Sequence, residues 1–193
     1  EASADADNYR RSNSSKEVGS SIKAAGNLSL NAGKDLRATA ASVQAGEALD
    51  VEAGNDILIL AGQDKQNSAY GVKASSSGFL SSSTTSTQSS NESNTAITSS
   101  FSGRNTSIVA GHDLRSVGGQ FKGTESLRVE GKNDQSLEEA VNTSTSQSHT
   151  DNSSELLGFI SLDKSSQTTS QSQSRAVGTR LISEDRKSTR LNS

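Results

Sequence analysis

Three aspartates close near-identical corners: Ala32-Gly33-Lys34-Asp35, Ala53-Gly54-Asn55-Asp56 and Ala110-Gly111-His112-Asp113. Carboxylates recurring at chain corners could ligate calcium, as in Gly/Asp-rich β-rolls, but those need GGxGxDx in tandem so that successive turns share ions. Each corner here has one Asp and lacks the second Gly-x-Asp. The six residues Gly33, Asp35, Gly54, Asp56, Gly111 and Asp113 are therefore read as structural turn residues. Glycine takes positive φ without steric cost, and Asp accepts nearby backbone N–H groups in an Asx turn. Ala precedes the corner because a larger side chain would not fit inside it. The histidines are His112 and His149, and there is no Cys. His112 stands at the variable corner position that Lys34 and Asn55 hold elsewhere, so it reads as a surface turn residue, and no metal ligand set is expected. Serines abound, but no GxSxG elbow and no base-and-orienter set accompanies them. No catalytic residue and no cofactor are expected.

The elements that carry these corners repeat. NLSLNAGKDLRATA, from Asn27, aligns with ALDVEAGNDILILA, from Ala48, at an offset of 21 residues. Apolar positions alternate by two, pause at Gly-x-Asp, and alternate again, which is the pattern of strand, tight turn, strand. A second offset, of 78 residues, relates Ala32, Gly33, Asp35 and Leu36 to Ala110, Gly111, Asp113 and Leu114, Val43 to Phe121, and Glu47, Leu49 and Val51 to Glu125, Leu127 and Val129. Short strands with a period near 21 predict a solenoid whose coils stack at about 4.8 Å and bury one continuous thin core. Its expected core is Leu28, Leu30, Leu36, Val43, Leu49, Val51, Ile57, Ile59, Ile108, Leu114, Phe121, Leu127 and Val129.

A thin core suits the composition. The 193 residues are only 29% hydrophobic, without Pro, Cys, Met or Trp, and the net charge is −3. Leu, Ile, Val and Phe number 35 against 55 Ser and Thr. A conventional globular enzyme of this length needs a thicker core, and no run is long and apolar enough for a membrane-spanning helix. With no basic patch, four Phe and two Tyr, nucleic-acid binding has little support.

The organisation reads as follows. Residues 1–17 are the end of a preceding excursion, 18–64 are coils, 65–105 are a Ser/Thr-rich hairpin excursion, 106–134 are coils, and 135–183 are a second excursion. Gly78-Phe79-Leu80 and Gly158-Phe159-Ile160, each followed by Ser or Thr, relate the two excursions, and alternating Thr and Ser suits exposed β structure. The two are expected to pair with each other. Asp185 to Ser193, DRKSTRLNS, matches the in-frame translation of a common sequencing-library adapter. Residues 184–193 are expected not to be native; without Asp185–Ser193 the chain carries 16 basic and 21 acidic residues, net −5.

The AGxDL corners, the GNLSLNAGKDL and GEALDVEAGNDI strands, FSGRNTSIVAGHDL and the Gly-Phe inserts together resemble the haemagglutinin repeat of filamentous haemagglutinin-like exoproteins, contact-dependent growth inhibition proteins included. The resemblance covers most of residues 9–183. It implies an all-β fold, a right-handed parallel β-helix with Ser/Thr-rich β-hairpin excursions. It also implies two-partner secretion through a cognate outer-membrane transporter of a Gram-negative bacterium, a secreted or cell-surface location, and a stalk that positions a distal adhesive or toxin end. The partners implied are that transporter and a host or neighbouring bacterial cell surface, with no nucleic acid. One alternative is an adhesive module acting through the Ser/Thr hairpins. A remoter one is a polysaccharide-active β-helix enzyme, for which the outward set Ser29, Asn31, Asp50, Glu52, Arg128 and Glu130 reads as an ordinary solvated face.

Overall fold

The computed structural model describes residues 3–4, 7–157 and 160–183. Gly158, Phe159 and the adapter-like residues 184–193 lie outside them. The described residues are all-β, without helix. The strands in chain order are β1 (Ser3–Ala4), β2 (Tyr9–Lys16), β3 (Ser21–Ala24), β4 (Leu28–Ala32), β5 (Leu36–Thr39), β6 (Ser42–Ala45), β7 (Ala48–Ala53), β8 (Ile57–Leu60) and β9 (Gly62–Ser77). They continue as β10 (Ser81–Ile97), β11 (Ser99–Ala110), β12 (Asp113–Val117), β13 (Gly119–Gly131), β14 (Asp134–Glu138), β15 (Ala140–Leu156), β16 (Ile160–Val177) and β17 (Arg180–Ser183). Two compact units result. One comprises Glu1–Lys16, Asp64–Thr95 and Asn142–Arg175; the other comprises Glu17–Gln63, Ala96–Val141 and Ala176–Ser193.

The second unit is a stack of parallel-paired coils. The first coil is β3, β4 and β5, and the second is β6, β7 and β8. Their pairs Ile22↔Val43, Leu30↔Val51 and Leu36↔Ile57 run parallel at the 21-residue spacing. The third coil, β11 and β12, lies on the second through Val43↔Phe101, Val51↔Ile108 and Ile57↔Leu114. The fourth, β13 and β14, lies on the third through Phe101↔Phe121, Ile108↔Val129 and Arg115↔Ser136, and β17 begins a further rung with Phe121↔Leu181. Stacking puts like positions in columns, and the inward columns make the core. Val43, Leu49, Val51, Ile57, Ile59, Phe101, Ile108, Leu114 and Phe121 are buried, while Leu28, Leu30, Leu36, Leu127 and Val129 are partly buried against them. The difference follows from position: the partly buried five sit on the first and fourth coils, and the buried ones lie mostly between neighbours.

Residues 99–103, within the stretch read from sequence as an excursion, are part of the coil unit. Ser100–Ser102 pair with Ser42–Gln44, and Phe101 is 1% exposed. Residues 135–138 likewise complete the fourth coil by pairing with β12. The 78-residue offset spans two coils: Val43 and Phe121 share a column with Phe101 between them.

The first unit is one sheet in the order β1-β2-β9-β10-β15-β16. β2 pairs antiparallel with β9 from Tyr9↔Gly71 to Lys16↔Asp64. β10 pairs antiparallel with β15 from Ser81↔Leu156 to Asn94↔Thr143. The latter links the two Ser/Thr-rich segments by a fourteen-residue ladder. A turn at Gly78-Phe79-Leu80, closed by the Gly78 N–H donating to the Ser81 carbonyl at 2.7 Å, joins β9 to β10. Ladder hydrogen bonds hold these strands, since the sheet has few apolar side chains to bury.

Candidate functional site

The corners named from sequence form a column on the coil unit, and their bonds run between coils. Asp35 Oδ1 accepts the Asn55 side-chain amide at 2.8 Å and the Asp56 N–H at 3.3 Å. Asp56 Oδ1 accepts the Asp113 N–H at 3.1 Å, and Asp113 Oδ1 accepts the Asn133 amide at 2.8 Å. The local Asx turn expected at each corner is thus replaced by a clamp on the next coil. The amide of Asn55 holds the Asp35 carboxyl below the usual carboxylate range, and that of Asn133 does the same for Asp113.

The glycines differ from expectation as well. None of Gly33, Gly54 and Gly111 has positive φ; the left-handed region is used at the following corner, by Ala40 (φ 49°) and Gly118 (φ 66°). What Gly54 and Gly111 supply is closeness. A Cβ on Gly54 would overlap the Gly33 carbonyl, and one on Gly111 would overlap the Gly54 carbonyl. Nothing lies within 4 Å of a Cβ placed on Gly33. The alanines beside them, Ala53 and Ala110, are buried.

Charged ladders flank the column. Arg104 lies between Glu47 and Glu125, its Nε 2.6 Å from Glu125 Oε1 and its Nη1 3.3 Å from Glu47 Oε2. These are the two glutamates related by the 78-residue offset. Arg115 grips Glu138 with two bonds of 2.7 and 2.9 Å, and Ser136 donates a third at 3.0 Å. The Arg115 guanidinium, then the Ser136 hydroxyl, lower the Glu138 pKa to about 2.

Several buried residues carry no mark in the sequence pattern, Phe101, Ser99, Thr106 and Ser116 among them. Phe101 was hidden in a Ser-rich stretch. Ser99, Thr106 and Ser116 are polar side chains in inward columns. Ser99 Oγ donates to the Leu60 carbonyl at 2.7 Å and accepts the Ala41 N–H at 3.0 Å, and Thr106 Oγ1 donates to the Lys122 carbonyl at 2.7 Å. Ser116 Oγ is buried with no partner among the described residues.

In the other unit, His149 sits between Thr168 and Asp151, Nδ1 2.8 Å from the Thr168 hydroxyl and Nε2 2.9 Å from Asp151 Oδ2. The spacing His-x-Asp places the two on one strand face; nothing in the sequence marked Thr168. This hydroxyl–imidazole–carboxylate set is substantially exposed, with side-chain exposures of 41% for His149 and 53% for Asp151, so water competes for each bond. It borders a shallow polar groove of about 170 Å³ that also includes Tyr9, Gln88 and Gln147. The Tyr9 ring covers Gly71, where a Cβ would strike it, and the Arg11 guanidinium lies 5.1 Å from the ring centroid. In the coil unit an apolar cleft of about 390 Å³ is lined by Ile22, Leu30, Leu36, Val43 and Phe101.

What these features do together is hold coils to coils: parallel ladders, side-chain clamps at one corner, and a narrow apolar interior. Such an arrangement is shared by repeat proteins of structural type. No curated protein and no solved structure matches the chain. The family model described as Hemagglutinin repeat matches residues 2–81, which span β2, the first two coils and β9. Through residues 2–81 the chain is therefore similar to the hemagglutinin repeat family.

Proposed function

We propose that the chain is a stalk segment, a right-handed parallel β-helix, of a large secreted, cell-surface filamentous adhesin or contact-dependent growth inhibition exoprotein of a Gram-negative bacterium. Its cognate outer-membrane two-partner transporter exports it, and it spaces a distal adhesive or toxin end from the producing cell. The observation that carries this reading is the register: Leu28↔Leu49, Thr106↔Leu127 and their neighbours pair in parallel, so each coil adds one fixed rise. A device built this way converts chain length into distance. Inserting tandem copies of residues 17–141 into the parent protein tests it. Each four-coil copy should lengthen the filament by roughly 19 Å and leave attachment per molecule unchanged. Filaments of constant length would refute the stalk role.

A second reading, adhesion through the Ser/Thr hairpins, is favoured by one observation: the groove bearing Tyr9, Gln88, Gln147 and His149 offers an aromatic face beside amides. Removing residues 64–95 and 142–175 should then abolish attachment while secretion persists. Attachment that survives the deletion would exclude this reading.

A further inference from the structure

We propose that Asp56, His112 and Asp113 bind one divalent transition-metal ion of the zinc class, fastening the third coil to the second. The three residues come from two coils: Asp56 closes the corner of the second coil, and His112 and Asp113 form the corner stacked on it. One ligand atom from each lies within 4.8 Å of the others. The imidazole Nδ1 is 3.2 Å from Asp113 Oδ1 and 3.5 Å from Asp56 Oδ1. An ion held by bonds of about 2.1 Å has neighbouring ligand atoms about 3.0–3.4 Å apart, so these separations match the edges of a coordination shell to within a few tenths of an ångström.

The corner differs from its copies in the residue that matters. Lys34 and Asn55 hold the place of His112 on the first and second coils, and neither supplies an imidazole. The carboxylates are oriented by other bonds: Asp56 Oδ1 accepts the Asp113 N–H, and Asp113 Oδ1 accepts the Asn133 amide. Outer partners of this kind fix ligand geometry around a metal. Asp56 and Asp113 also line a groove of about 340 Å³, which leaves room for water to complete the shell. Two carboxylates and a neutral imidazole carry net negative charge, and the nitrogen ligand favours zinc, nickel or copper over calcium or magnesium.

The test is titration of zinc chloride into the whole chain by calorimetry, with the thermal midpoint read alongside. The wild type should bind one equivalent and gain thermal stability, because an ion that bridges two coils binds only the folded form. His112→Asn copies the residue of the corner below, and circular dichroism checks that it folds. His112→Asn and Asp56→Asn should each weaken binding at least about ten-fold, whereas His149→Asn should leave it intact. No heat of binding up to about 1 mM zinc, equal affinity in His112→Asn, or loss on changing His149 instead would each overturn the proposal.

Discussion

The ring of Phe101 stacks on that of Phe121, centroids 5.9 Å apart and planes 27° from parallel, and both rings are essentially inaccessible to water. The pair joins the third coil to the fourth, with Val43 beneath Phe101 and Leu181 above Phe121. Neither ring has a substitute in its column. Phe101→Ala should cost about 3–5 kcal/mol of unfolding free energy, since it removes the transfer energy and leaves a cavity that neighbouring coils cannot close. Urea denaturation checks this; a loss under about 1 kcal/mol would mean that the column is not the core.

The corner glycines yield a paired prediction. Gly111→Ala drives a methyl group into the Gly54 carbonyl, so the third coil must lift from the second. A loss of about 1–3 kcal/mol is expected from such overpacking. Gly33→Ala meets open space and should be neutral or slightly stabilising, because alanine restricts the unfolded chain. Equal losses at both positions would indicate a shared requirement for glycine backbone geometry instead of close stacking.

Acid should weaken the fourth coil. Glu138 titrates at about 2 in the folded chain against its ordinary 4.5, because Arg115 and Ser136 stabilise the carboxylate. A depressed folded-state pKa contributes stability that is complete above the unfolded value and disappears as pH falls towards the folded one. The contribution therefore fades between pH 4.5 and about 2. Asp35 and Asp113, lowered by their asparagine partners, shift the same way. In Glu138→Gln this part of the acid dependence should vanish, and thermal midpoints measured across the range would show a flatter slope. An unchanged slope would count against the Arg115 clamp.

Ser116 invites a stabilising change. Its hydroxyl is buried in the column of Ala38 and Ile59 and has no partner among the described residues. Ser116→Ala removes an unpaired polar atom and should raise stability by about 1 kcal/mol. A clear loss would reveal a bond to the hydroxyl.

The 21-residue period was legible because Leu28 to Ile59 combine alternating apolar residues with two intact corners, and a buried face forces that alternation. The all-β class follows from the same pattern. Phe101, Thr106 and Ser116 escaped for different reasons. Phe101 lies in a Ser-rich run, while Thr106 and Ser116 fill apolar columns with polar side chains whose place only the neighbouring coil defines. The role of Gly111 was illegible for a related reason: the carbonyl it must avoid belongs to a residue 57 positions earlier. The Ser/Thr sheet has no buried face to enforce a register, so sequence could suggest its strands but not the pairing Ser81↔Leu156.

The corner bonds also have a direction. Asp56 N–H, Asn55 amide, Asp113 N–H and Asn133 amide all donate from a later coil to an acceptor on the earlier one. Backbone N–H groups do likewise from Gly54 to Ala32, from His112 to Asn55 and from Asn133 to His112, whereas those of Leu36, Ala40, Ala61 and Gly118 donate the other way, to the coil that follows. Each face of a coil thus offers donors and acceptors in a fixed order, which only a coil of matching register can pair.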